Sequence, residues 1–192
     1  MLRYLSHPQV QIDPDVPITE WPLNAVGRAR MHTFSALAPT LLARTKSVYS
    51  SPERKARDAA DIVAGALNLN VTIAAQSYEN DRSATGYLPS AEFEATADAF
   101  FAHPNQSARG WERAVDAQTR ILSCVKQIAA SAPDGDILVV GHGAVGTLLF
   151  CAARAVPIDR AHDQGPGGGG NLIVFERENL GAVTGWTPIE AL

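Results

Sequence analysis

Short apolar runs alternate with amphipathic helical patterns along most of this 192-residue chain, and that alternation confines it to a layered α/β architecture. Leu2 to Ser6, Ser47 to Tyr49, Val71 to Ala75, Ile137 to Val140 and Leu172 to Phe175 read as strands, with a weaker one over Val183 to Trp186. Helical patterns cover Asn24 to Leu42, Pro52 to Leu67, Ala91 to Ala102, Gly110 to Ala130 and Ala144 to Ala155. In the fourth of these, Trp111, Val115, Ile121, Leu122, Val125 and Ile128 form one apolar stripe, which assigns Trp111 to packing. The expected fold is one three-layer α/β/α domain over residues 1–192 with a largely parallel central sheet.

The bulk properties narrow the function. A net charge of −4 argues against nucleic acid as a partner, because such binding needs a basic face to displace counterions. The stretch Ile137 to Val156 is the only membrane-like one, and His142, Arg154 and three glycines within it argue against a membrane span. No signal peptide is read at Met1-Leu2-Arg3-Tyr4. Cys124 and Cys151 fall in helical patterns without metal or redox spacing, so they read as buried free thiols of a cytoplasmic protein. The spacing places no three ligands around a metal ion, and the run Gly165-Pro166-Gly167-Gly168-Gly169-Gly170 reads as a mobile surface loop whose glycines would also allow close approach to a ligand. Arg28 and Arg30 read as the wet face of the first helix.

Two histidines carry the functional signal. His7 ends the strand Leu2-Arg3-Tyr4-Leu5-Ser6, and His142 follows Ile137-Leu138-Val139-Val140-Gly141. Ligands of open α/β sheets bind at the carboxyl ends of strands, so both imidazoles are candidates for one crevice. Between them, Ser50-Ser51-Pro52-Glu53-Arg54-Lys55-Ala56 is a strand end followed by a helix start, with Ser51 as N-cap and Pro52 at the first helical position. Free amides there, with Arg54 or Lys55 alongside, suit a phosphate.

These segments together resemble the histidine phosphatase superfamily, the phosphoglycerate mutase-like proteins. The family pattern is a strand ending in Arg-His-Gly, a Thr-x-x-Gly helix start, a Ser-Ser-Pro-x-x-Arg-Ala helix start, a Glu or Asp acid in a loop, and a Ser-His-Gly. Its counterparts here are Ser6-His7-Pro8, Asn24-Ala25-Val26-Gly27, Ser50 to Ala56, Glu79 and Gly141-His142-Gly143. The resemblance implies a phosphoglycerate mutase-like fold and phosphoryl transfer from a small phosphorylated substrate through a phosphohistidine, with no metal or cofactor required. His7 would be the nucleophile, Glu79 the general acid and base with Asp81 as alternative, and His142 a phosphate holder with Lys55 or Arg54.

Two departures bear on activity. Ser6 stands where the family has Arg, and Pro8 where it has Gly. A neutral hydroxyl replaces a charged fork, at a cost of roughly ten- to a hundredfold in phosphate affinity. Arg82 is the candidate compensating cation, since Arg3 lies roughly 13 Å back along the strand from His7. The leading expectation is a phosphomonoesterase, and the rival is a noncatalytic domain of the same fold that binds an anionic ligand; a homo-oligomer is compatible with either.

Overall fold

The most continuously apolar strand takes the centre of the sheet. In the computed structural model, which describes residues 1–192, all six residues of the strand Asp136–Gly141 are buried. The elements in chain order are β1 (Leu2–Ser6), α1 (Ala25–Leu41), β2 (Thr45–Ser50), α2 (Arg54–Leu67), β3 (Val71–Ile73), α3 (Ser90–Ala102), α4 (Ala114–Ser131), β4 (Asp136–Gly141), α5 (Gly143–Ala153), β5 (Asn171–Phe175) and β6 (Thr187–Pro188). The sheet order is β3-β2-β4-β1-β5-β6. The first four strands in that order run parallel, and the sheet is extended at one edge by β5, antiparallel to β1, and by β6, antiparallel to β5.

Alternation along the strands sorts the core into two halves. Leu2, Tyr4, Ile137, Val139, Ile173 and Phe175 face α4 and α5 with Ile121, Val125, Leu148 and Leu149. Leu5, Val48, Leu138 and Val140 face α1 and α2 with Met31, Phe34, Ala60 and Val63. This is the expected three-layer arrangement, and Trp111 packs in the first half, 3% exposed. The run from Ile137 divides into β4 and α5, and no helix is long and apolar enough to cross a membrane. Cys124 and Cys151 are both buried and unpaired.

The Asn24 side chain caps α1 by accepting the Gly27 N–H at 2.8 Å, while its amide donates to the Val10 carbonyl. Gly27 is required there because a Cβ would lie 2.3 Å from the Gln9 carbonyl oxygen. The start of α1 is thereby pressed onto the segment that leaves β1.

Three expectations need correction. Helix α2 begins at Arg54 with Glu53 as its cap residue, so Ser51 and Pro52 precede it. The last strand is Thr187–Pro188, because Val183 to Trp186 turns across the end of β5 with a single bridge from Ala182 to Phe175. The glycine loop is tied down by Arg30, whose guanidinium donates to the carbonyls of Gly167 and Gly169 and pairs with Glu190. Gly169 has φ +82° and leaves room for only 2.1 Å between a Cβ and the His7 carbonyl oxygen. The loop therefore packs on the backbone of His7, and Arg30 holds it there instead of lying free on a wet helix face.

Candidate active site

Strand register delivers the site. Ser6 pairs with Gly141 and Ser50 with Val140, so His7, Ser51 and His142 leave three adjacent parallel strands together at their carboxyl ends. The N–H of His7 donates to the Gly141 carbonyl and that of Ser51 to the Val140 carbonyl, both at 2.9 Å. The His7 and His142 rings end 5.2 Å apart between centroids, edge to face.

His7 Nδ1 lies 2.8 Å from the Pro8 carbonyl oxygen. A carbonyl only accepts, so Nδ1 carries the ring hydrogen and Nε2 keeps its lone pair, with no protein partner. Burial, then the neighbouring His142 and Lys55, pushes the His7 pKa down to about 3 against the opposing pull of the Pro8 carbonyl and Glu53. The imidazole is thus unprotonated at ordinary pH, with its Nε2 lone pair unspent.

His142 is completely buried. Its Nε2 is 2.7 Å from Ser51 Oγ, which also accepts the Glu53 N–H at 3.3 Å. With Ser51 donating to Nε2, the ring hydrogen sits on Nδ1, a buried atom without a protein partner. Burial, reinforced by Lys55, Arg82 and Arg120, holds the His142 pKa well below its ordinary value. The Tyr4 hydroxyl fixes the backbone, accepting the His142 N–H at 2.9 Å and donating to its carbonyl at 3.2 Å.

Glu79 comes from the loop after β3 and sets its carboxylate at the start of α5. There it accepts the N–H groups of Val145 at 3.1 Å, Ala144 at 3.3 Å and Asn80 at 3.1 Å. Burial raises the Glu79 pKa, Glu53 adds to the rise, and Arg82 with the Val145 and Asn80 amides opposes it. Asp81, the alternative acid, is exposed, and the Ser83 amide and hydroxyl hold its pKa low.

Arg120 shapes this loop. It donates to the carbonyls of Gln76, Tyr78 and Glu79, pairs with Glu112 at 2.7 Å and stacks 3.5 Å from the centroid of Tyr78. Arg120→Ala is expected to cost about 2–3 kcal/mol by leaving several half-buried acceptors unmet. A urea midpoint unchanged from that of the parent protein would refute that role.

The basic residues divide clearly. Arg54 is exposed, whereas Lys55 is 3% exposed and reaches inward to the Ile18 carbonyl at 2.8 Å and to the Glu53 carboxylate. Ser6 is buried with its hydroxyl committed to Gln164 Oε1 at 2.6 Å and to the Asn171 backbone, so it offers no spare donor to an anion. Arg82 stacks on Phe93 and Trp111, 5.1 and 5.6 Å from their centroids, and lines a cavity of about 620 Å³ with Glu20, Glu53, Glu79, Asn80 and Asp81. No cluster of three or more His, Cys, Asp or Glu side chains is arranged to hold a metal ion.

Glu53 is the residue that sequence reasoning overlooked. It occupies an unspecified position of the helix motif, and only its spacing two before Lys55 hints at a pair. In the structure it is 5% exposed, accepts the Glu79 N–H at 2.9 Å through Oε1, and places that oxygen 3.6 Å from His142 Nε2.

The family model for the histidine phosphatase superfamily, branch 1, matches residues 9–183. The chain belongs to this superfamily. The match begins just after Ser6-His7-Pro8, the motif in which the chain departs most from the pattern. No curated protein is matched. Among solved structures, the chain is similar to a mycobacterial glucosyl-3-phosphoglycerate phosphatase in complex with inorganic phosphate, at 20% identity and a TM-score of 0.78, covering 100% of this chain and 99% of that one. It is also similar to Bacillus stearothermophilus YhfR, at 20% identity and TM-score 0.78 over 95% of each chain. A phosphoserine phosphatase from Entamoeba histolytica shares 14% identity at TM-score 0.74, covering 100% of this chain and 98% of that one. These likenesses establish the histidine phosphatase fold.

Proposed function

We propose that the protein is a phosphomonoester hydrolase that works through a phosphohistidine on His7. The observation that carries this reading is the fixed tautomer of His7, with Nδ1–H spent on the Pro8 carbonyl and Nε2 left as a free lone pair beside His142. Nε2 attacks phosphorus in line, forming the N–P bond as the P–O bond to the alcohol breaks. Glu79 delivers a proton to the departing oxygen and afterwards takes one from the water that cleaves the N–P bond. His142 donates from Nδ1 to a phosphoryl oxygen, and Lys55 supplies the nearest buried cation. The substrate is a small phosphomonoester whose alcohol portion occupies the cavity beside Arg82. Two unpaired thiols are compatible with a reducing cytoplasm.

A second reading is favoured by one set of contacts: the Ser6 hydroxyl is engaged with Gln164 and Asn171, and Lys55 is paired with Glu53. On that reading the pocket binds an anionic ligand without turning it over. Rapid mixing with a panel of phosphomonoesters, followed by mass spectrometry under conditions that preserve acid-labile phosphate, separates the two. Phosphate on His7 is expected. Phosphate release without dependence on His7, or ligand binding with no release from any ester offered, would overturn the phosphohistidine reading.

A further inference from the structure

The charge inside the pocket is unusual for a site that is to bind phosphate. The buried Lys55 cation is matched by the buried Glu53 carboxylate within the same helical turn, and a second Lys55 N–H is spent on the Ile18 carbonyl. Ser6 brings no charge, and Arg82, stacked on Phe93 and Trp111, is the one cation that lines the adjoining cavity with Glu53 and Glu79. The groups facing Glu53 are Lys55 on α2, His142 at the end of β4, and Glu79 in the loop after β3, with His7 close enough to feel its charge. Glu20 and Asp81 add carboxylates to the adjoining cavity wall. A doubly charged phosphoryl group would therefore meet a neutralised ammonium and a cavity wall in which the carboxyl groups of Glu20, Glu79 and Asp81 outnumber the Arg82 guanidinium.

We propose that Glu53 is a specificity-determining residue: by cancelling the charge of Lys55 beside His142, it restricts the pocket to phosphoryl groups that carry a single negative charge. Such groups are the monoanions of phosphomonoesters, in which one phosphoryl oxygen still bears a proton that can be donated to a carboxylate. Glu53 Oε1 is placed to accept it, since its protein contacts are one N–H at 2.9 Å and His142 at 3.6 Å. A dianion has no such proton and faces Glu53 with like charge, which at the short range of a closed pocket corresponds to roughly ten- to a hundredfold in affinity. The idea rests on the assignment of this pocket to a phosphoryl group, but it does not require turnover.

Calorimetric titration with methylphosphonate, whose C–P bond is not hydrolysed and whose dianion carries no proton, tests it on both sides of the second ionisation of that ligand. His7 and His142 stay unprotonated across that interval, so they do not produce the effect. The intact protein is expected to bind severalfold more weakly at about pH 8 than at about pH 5. Glu53→Gln, which keeps an acceptor for the Glu79 N–H, is expected to gain severalfold at the higher pH and to lose most of this pH dependence. Glu79→Gln, which leaves Glu53 in place, is expected to retain it. Affinity in the intact protein that is flat or rises with pH would overturn the proposal even if the variant fails to fold. So would a Glu53→Gln protein that gains nothing at high pH. A pH-dependent phosphonate site with no phosphorylated His7 would leave Glu53 in this role and remove the hydrolase assignment instead.

Discussion

His7→Ala is expected to lower kcat for phosphomonoesters by about a thousandfold or more and to abolish the phosphoenzyme, while inorganic phosphate still binds within a few-fold of its original affinity. The split follows from what the imidazole does. Its Nδ1–H is spent on the Pro8 carbonyl, so the ring reaches the phosphate only through a Nε2 lone pair that repels anionic oxygen until the N–P bond begins to form. Removing it deletes a contribution made in the transition state and almost none made in the ground state. His142→Ala should differ in kind. On the proposed assignment it removes a donor to the phosphoryl group throughout and also takes from Ser51 its imidazole partner and from Glu53 one of its buried neighbours, so affinity and kcat are expected to fall together. Unchanged turnover by a chromatographically clean His7→Ala preparation would remove the nucleophile from His7. Retained turnover with lost phosphate affinity would make His7 a binding group only.

Much of this geometry can be read from the chain because register propagates. Once Ile137 to Val140 is seen as a fully buried strand and Leu2 to Ser6 as its neighbour, the residues that follow each, His142 and His7, must emerge at the same edge. The Ser50-Ser51 exit adds a third point on that edge. The parts that escaped sequence reading depend on where side chains meet after folding. Glu53 looks like an ordinary charge at a helix start, and its burial follows from Lys55 turning inward towards Ile18 while Arg54 turns to solvent. The anchoring of the glycine loop depends on Arg30, a residue 137 positions from Gly167 that helical periodicity assigns to solvent. Ser6 illustrates the converse. Its place before His7 suggests a phosphate contact, but Asn171 on the antiparallel neighbour and Gln164 in the loop before it claim the hydroxyl first. Local pattern determines which residues line up; competition among distant partners determines which of them remain available.

Glu79→Gln is expected to separate substrates by their leaving groups. For alkyl phosphates, whose departing alkoxide needs a proton, kcat should fall about a hundred- to ten-thousandfold; for an aryl phosphate with a stable phenolate, the first chemical step should fall far less. The protonated acid is the competent form in that step, and burial beside Glu53 raises the Glu79 pKa. Activity on alkyl esters is therefore expected to be present below the raised pKa and lost as the pH climbs through it. The opposite limb is expected to report His7, which gains a proton on the proposed attacking nitrogen only near pH 3. A bound phosphoryl group adds negative charge next to Glu79, moving the upper limb of kcat to higher pH than the limb of kcat/KM. In Glu79→Gln the upper limb of kcat should vanish, whereas Asp81→Asn should leave it in place, because the Asp81 carboxylate is exposed and held ionised by Ser83. Equal losses for alkyl and aryl substrates would mean that Glu79 shapes the pocket through its bonds to Ala144 and Val145 without moving a proton. A surviving upper limb would assign the proton transfer to another group.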